Sequence, residues 1–253
     1  MKIGIVDYNP DKNPDRRNYV ERIGSLLPEG VDHSGIPFRD TDAFDDLDQM
    51  DALILSGSKL SATLYHRAVN SGEELEGDYI SVDESILPIA EFSGPIFGIC
   101  FGAQILAHVK GGTLGRLDMS EAGYLTHELT EAGSQDPIFG QVDQTFWGAH
   151  MHTDYVDSLP DNSEMTGDAM ATRGGYIHAF RIVEAGETVH YGTQPHPEMS
   201  NPNNATFLVD VNRSWLEEEI GAQPYQQALI VPGNATFQLG STVTQFVNHL
   251  HRS

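Results

Sequence analysis

The chain is 253 residues long, enough to bury one substantial core. Its 37 Asp and Glu against 14 Lys and Arg give a formal charge of -23, which leaves no continuous basic surface for bare nucleic acid. One cysteine excludes an intramolecular disulfide and a cysteine-rich zinc module, and no run approaches the roughly 18 uninterrupted apolar residues of a membrane span.

The opening run MKIGIVDYN is strand-like and lacks the basic and apolar regions of a signal peptide, so the simplest expectation is a soluble, cytoplasmic protein. Lysine occurs only at Lys2, Lys12, Lys59 and Lys110. Such acid-rich, lysine-poor composition resembles that of proteins from salt-in halophiles, where molar salt shortens the Debye length to about 3 Å and screens self-repulsion.

Short apolar runs then alternate with helical stretches. KIGIVDY (Lys2 to Tyr8), DALILSG (Asp51 to Gly57) and GPIFGIC (Gly94 to Cys100) read as buried strands. Between the first two lie a helix near Arg16 to Leu27 and a short strand near Asp32 to Pro37. Asp78 to Phe92, with Ile80, Ile86, Ile89 and Ala90, reads as an amphipathic helix leading into the third. Strands that are apolar throughout and alternate with helices predict an α/β domain whose parallel sheet is covered on both faces.

From Gly111 to Ala185 the glycines, threonines and alternating runs predict antiparallel strands. ATRGGYIHAFRI (Ala171 to Ile182) reads as a hairpin with Gly174 and Gly175 at its tip. Thr188 to Glu198 returns as a last strand, and Asn204 to Glu219 reads as a helix with Phe207, Leu208, Val211 and Trp215 on one face. The expected division is a domain over 1–219 and a C-terminal extension over 220–253, carrying the helical stripe Val243, Phe246, Val247 and Leu250.

The chemistry gathers around the lone cysteine. A free cysteine usually packs as a small hydrophobe, but Cys100 ends an apolar strand and precedes the helical run FGAQILAHV. Gly98 and Gly102 flank it at minus two and plus two, where a tight strand-to-helix elbow excludes side chains. The following helix N-terminus favours thiolate and offers N–H groups to an oxyanion. A cysteine nucleophile needs a base and the base an orienter. QPHPEM supplies His196 and Glu198, two apart on a backbone expected to be extended and so on the same side.

GICFGAQILA followed by QPHPE resembles the class I glutamine amidotransferases, with their G-x-C-x-G-x-Q and H-P-E motifs. LILSGSK (Leu53 to Lys59) stands where that family has its S-G-G-P oxyanion loop. EAGYLTHEL (Glu121 to Leu129) resembles its glycine-tyrosine strand, and HMHTDYV (His150 to Val156) its H-x-D segment. The resemblance covers roughly Met1 to Glu219. It implies a flavodoxin-like, open, mostly parallel sheet with helices on both faces, and no cofactor. It also implies that Cys100 attacks the glutamine carboxamide to form a γ-glutamyl thioester, with His196 and Glu198 as its partners. The N–H of Phe101 and one near Gly57 and Ser58 would hold the oxyanion, and Gln104 would help position substrate. His152 and Asp154 would flank the active site. In the oxyanion loop this chain reads Ser56-Gly57-Ser58-Lys59, without the second glycine and the proline, a departure shared with stand-alone γ-glutamyl peptidases of the same superfamily.

The expected substrate is therefore glutamine or another γ-glutamyl small molecule, with ammonia passing to a separate synthetase subunit, since no synthetase domain is visible. A γ-glutamyl hydrolase using the same three residues is the second expectation. An inactive binding or regulatory relative is the third, and the intact Cys100, His196 and Glu198 speak against it. His150, His152 and Asp154 alternate on one strand and read alternatively as metal ligands. No further histidine cluster in the sequence completes that sphere, so no metal is expected, and His108, His178 and His190 read as ordinary surface or core residues.

Overall fold

The computed structural model of the chain describes residues 1–10, 18–185, 188–200, 212–219, 221–233 and 238–250. Its strands are β1 (Lys2–Asp7), β2 (Asp32–Pro37), β3 (Ala52–Leu55), β4 (Ile96–Ile99), β5 (Thr113–Leu129), β6 (Thr145–Ser158), β7 (Met165–Arg173), β8 (Tyr176–Glu184) and β9 (Val189–Thr193). Its helices are α1 (Tyr19–Gly24), α2 (Ala62–Ser71), α3 (Asp78–Glu91), α4 (Phe101–Val109), α5 (Glu131–Gln135), α6 (Arg213–Glu219), α7 (Ala222–Ala228) and α8 (Gly240–Leu250). Residues 16 and 17 of the expected first helix, and Phe207, Leu208 and Val211 of the expected late helix, lie outside the described residues.

The strands form one sheet in the order β2-β1-β3-β4-β9-β8-β6-β5-β7. The first five are mutually parallel, and counted alone they run 2-1-3-4-5, the order of flavodoxin-like folds. β3 and β4 are buried at every position, which two covered faces require. On one face α1 and α8 pack around Ile3, Ile5, Phe97 and Ile99. On the other, α2, α3 and α4 pack around Val6, Leu53 and Leu55. Within α3 the inward residues are Val82, Ser85 and Ile89, and Ile80 turns outward.

The expectation of an open, mostly parallel sheet is corrected at the other end. β5, β6, β7 and β8 are antiparallel, and β7 pairs with both β5 and β8, so these four strands close on one another. Closure follows from the β7–β8 hairpin. Gly174 and Gly175 both take positive φ at its tip, as a two-residue turn demands, and β7 folds back far enough for Leu129 to meet Ala171. The weakest seam of the ring is β6–β8, with the single pair Val156 and Ile177.

The C-terminal residues are woven into this frame. α7 approaches β5 so closely that a Cβ on Gly123 would stand 2.8 Å from the Ala228 carbonyl oxygen. Phe246 of α8 sits 5.4 Å from the Phe97 ring and 6.1 Å from that of Tyr191, centroid to centroid. The stripe read in the sequence is thus one layer of the main core. Phe246→Ala should therefore cost about 3 kcal/mol or more in urea unfolding, the size expected for a fully buried aromatic; a loss below about 1 kcal/mol would show that α8 is not part of the cooperative unit.

Candidate active site

Three chain segments meet where β3, β4 and β9 end. Cys100 follows β4 with φ 51° and ψ -109°, and among the described residues every other positive φ belongs to glycine. The elbow is fixed by contacts that admit no side chains beside it. A Cβ on Gly98 would lie 2.6 Å from Ala103 Cα, and one on Gly102 would lie 2.3 Å from the Leu55 carbonyl oxygen. The Cys100 N–H donates to Thr193 O at 2.8 Å and the Gly102 N–H to Ser56 O at 3.1 Å, so the turn is tied to both neighbouring strands.

β9 ends at Thr193, and the chain then turns, with Pro197–Met199 forming a 3-10 turn. The pairing of His196 with Glu198 therefore arises from this turn and not from a continued strand. His196 Nδ1 lies 2.6 Å from Glu198 Oε1, and the two are buried with Cys100 at 1%, 3% and 3% exposure, respectively. The Cys100 side chain is the second group that acts on the His196 ring. Burial pulls its basicity down, but the charges of Glu198 and Cys100 outweigh that and raise its pKa from the ordinary 6.5 to about 10. The Tyr19 ring lies nearly parallel to the imidazole, at 20° and 6.3 Å.

A chain of amides reaches the sulfur from the other side. Gln104 Nε2 donates to Asp154 O at 2.7 Å and to Gln194 Oε1 at 2.9 Å, while Gln194 Nε2 lies 3.4 Å from Cys100 Sγ. Sequence reasoning missed Gln194. Its only signal is a place two residues before His196, which pattern alone does not distinguish from a turn residue.

A cavity of about 450 Å³ opens over the sulfur, lined by Cys100, Phe101, Gln104, His196, Ser58 and Arg116 among others. Gly57 backs His196, and a Cβ there would come within 2.7 Å of its Cε1. Ser58 is built into the loop: its hydroxyl donates to Tyr8 O at 2.8 Å and accepts from the Leu60 N–H at 3.1 Å. Asp154 also lines the cavity, and its carboxylate holds the start of α2. It accepts from Ser61 Oγ at 2.5 Å and the Thr63 N–H at 3.1 Å, and pairs with Arg116 at 2.7 Å. His152 contributes to the same wall but turns its ring into the protein, towards Glu121, His150 and His178. His178 is accordingly a member of a buried cluster and not an isolated core residue.

The family model for class-I glutamine amidotransferases matches residues 38–212. The chain belongs to the class-I glutamine amidotransferase family. It is 30% identical over 149 residues to a glutamine-hydrolysing GMP synthase of Neisseria meningitidis, covering 59% of this chain and 26% of that protein. It is 30% identical over 129 residues to a γ-glutamyl-L-1-hydroxyisopropylamide hydrolase of a Pseudomonas species, covering 49% of this chain and 42% of that one. The chain thus spans about a quarter of the length of the GMP synthase. Solved structures of the same architecture include a glutamine amidotransferase of Thermotoga maritima, with a TM-score of 0.66 at 16% identity over 100% of this chain and 99% of that one. Another, a glutamine amidotransferase of Methylobacillus flagellatus, has a TM-score of 0.56 at 15% identity over 99% and 90%.

In this amidotransferase site the raised His196 sets a pH signature. The stability its pairing contributes is fully present below pH about 6.5 and is lost as pH rises towards 10. A ring-proton NMR titration should show His196 charged throughout the neutral range, and Glu198→Gln should lower its midpoint. An unchanged midpoint would mean that Glu198 does not hold the charge. Gly57→Ala should displace the ring, moving the His196 resonance in the folded protein.

Proposed function

We propose that the chain hydrolyses the side-chain amide of glutamine through Cys100, His196 and Glu198. The observation that carries this reading is the buried line from Glu198 through His196 to the Cys100 sulfur, opening on the cavity. In the reaction the sulfur anion attacks the amide carbon, and the carbonyl electrons move onto oxygen. The Phe101 N–H, at the first position of α4 where helix donors lack helical acceptors, and an N–H of the Gly57–Ser58 loop receive that charge. His196 gives its proton to the departing nitrogen, ammonia leaves and a γ-glutamyl thioester remains. His196 then takes a proton from water, the hydroxide attacks the thioester carbon, and glutamate and the cysteine thiolate are released. Glu198 holds the Nδ1–H throughout, and Gln104 with Gln194 positions the sulfur from behind.

The catalytic unit of this reading is 1–219, with α7 and α8 of the extension over 220–253 packed against it, and the ammonia passes to a synthetase on a separate subunit. This follows the GMP synthase similarity, in which the chain matches only a quarter of the relative. A second reading, a hydrolase of larger γ-glutamyl amides, is favoured by the Pseudomonas relative. It is also favoured by the loop, because Ser58 replaces a glycine and its side chain ties the loop to the Tyr8 carbonyl.

Glutamate release from glutamine and from γ-glutamylcysteine, measured in parallel, separates the two. Cys100→Ala should abolish release from whichever substrate is used, and His196→Ala should lower kcat by about 10²–10⁴-fold. Release that survives Cys100→Ala sinks both readings. If only the dipeptide is cleaved, the hydrolase reading stands, and Ser58→Gly should then shift kcat/KM towards glutamine.

A further inference from the structure

Beside the part of the cavity wall that His152 forms, four side chains converge. They are Glu121 of β5, His150 and His152 of β6, and His178 of β8. One ligand-competent atom from each lies within 4.8 Å of all the others. His152 Nε2 is 3.0 Å from both Glu121 Oε2 and His150 Nδ1, and Glu121 Oε2 is 3.6 Å from His178 Nε2 and 3.9 Å from His150 Nδ1. The three histidines are buried, His150 fully.

The tautomer of His152 makes this arrangement informative. Its Nδ1 lies 2.9 Å from the Asp154 carbonyl oxygen, which can only accept, so Nδ1 carries the proton. Its other nitrogen, Nε2, faces Glu121 Oε2 and His150 Nδ1 together. The backbone carbonyl on Nδ1 is also the outer partner that metal-bound histidines characteristically have. Arg173 occupies Glu121 Oε1 and leaves Oε2 directed at the rings.

We propose that Glu121, His150, His152 and His178 form a site for a divalent transition metal of the zinc class. Three imidazoles and one carboxylate are a familiar donor set for Zn²⁺, and bonds of about 2.0–2.1 Å place tetrahedral ligand atoms roughly 3.3 Å apart. The observed separations bracket that value, so small side-chain rotations complete the sphere. With all four positions supplied by protein the site is structural, since it leaves none open for water. Its place gives it a purpose: β6 and β8 share one backbone pair, and the register of β5 against β6 slips between Arg116 and Glu121. A metal would clamp the three strands where hydrogen bonding between them is thinnest.

The proposal is independent of the amidotransferase reading and is tested without activity. After chelator treatment, the full chain is dialysed to equilibrium against Zn²⁺ or Co²⁺ and bound metal is counted. One ion per chain is expected, with the visible absorption of tetrahedral Co²⁺ and a rise in Tm as metal is added. Cys100→Ala should bind equally well. His178→Ala and Glu121→Gln should weaken binding at least about tenfold, since changes even to outer partners cost roughly 10–100-fold. Fewer than one ion per ten wild-type chains would overturn the proposal. Stoichiometry lost in Cys100→Ala but kept in His178→Ala would overturn it too, by placing the ion on the thiol.

Discussion

The site depends on one backbone conformation, the left-handed turn at Cys100. A non-glycine residue held there costs about 1–3 kcal/mol and persists only where its surroundings over-determine it. Here the surroundings are backbone: Thr193 O and Ser56 O fix the turn from both flanking strands, while Gly98 and Gly102 let α4 press against β3 and β4. The strain therefore requires the parallel order β3-β4-β9 to be complete. The same order delivers the rest of the site, because the chain leaving β9 carries Gln194, His196 and Glu198 to the sulfur. A strand inserted between β4 and β9 would relieve the turn and carry His196 away from the sulfur together.

Electrostatics separate the histidines that geometry makes look alike. His127, His150, His178 and His196 are all buried, and burial pulls each towards neutrality. Only His196 is raised, because Glu198 and the cysteine sulfur are its immediate partners. Burial takes His127 down to about 3, where its neighbours are Arg173 and other rings. The difference follows from distance: a carboxylate oxygen at 2.6 Å in a poorly solvated site outweighs the loss of water, whereas Glu121 divides its charge among His152, His178 and Arg173. The chain thus holds one histidine with raised basicity beside Cys100 and three with lowered basicity, His127, His150 and His178.

What the sequence disclosed was what its local patterns encode. The apolar runs gave the parallel strands. Gly98, Gly102 and QPHPE gave the elbow and its partners, since each motif's chemistry lies within a few residues. The features it concealed are long-range. The β7–β5 pairing that closes the ring joins residues more than forty apart, and no local pattern reports it. Glu121 and His178 complete the cluster only because β5 and β8 flank β6, so His150 and His152 looked isolated in one dimension. Helix α2 escaped notice because Ala62–Ser71 buries only Ala62 and Tyr65, too few for a clear apolar stripe. The extension read at 220–253 contained a core stripe, but its partner surface was formed by strands some 150 residues earlier.

β6 joins the two chemical regions. Its Met151 carbonyl lies 3.9 Å from Cys100 Sγ, and its Asp154 carbonyl receives both Gln104 Nε2 and the His152 ring. His152 is thus tied at one nitrogen to the carbonyl that positions Gln104 and at the other to Glu121. The ring and the Gln104–Gln194 amide chain that ends on the sulfur share one acceptor. The carboxylate of the same Asp154 fixes the N-terminus of α2 and Arg116, which stand at the cavity mouth. A strand bound so closely on both sides cannot shift its register without disturbing Cys100, and its one weak margin, towards β8, is where the histidine cluster lies. The cluster therefore lies on the strand against which Cys100 and Gln104 are aligned.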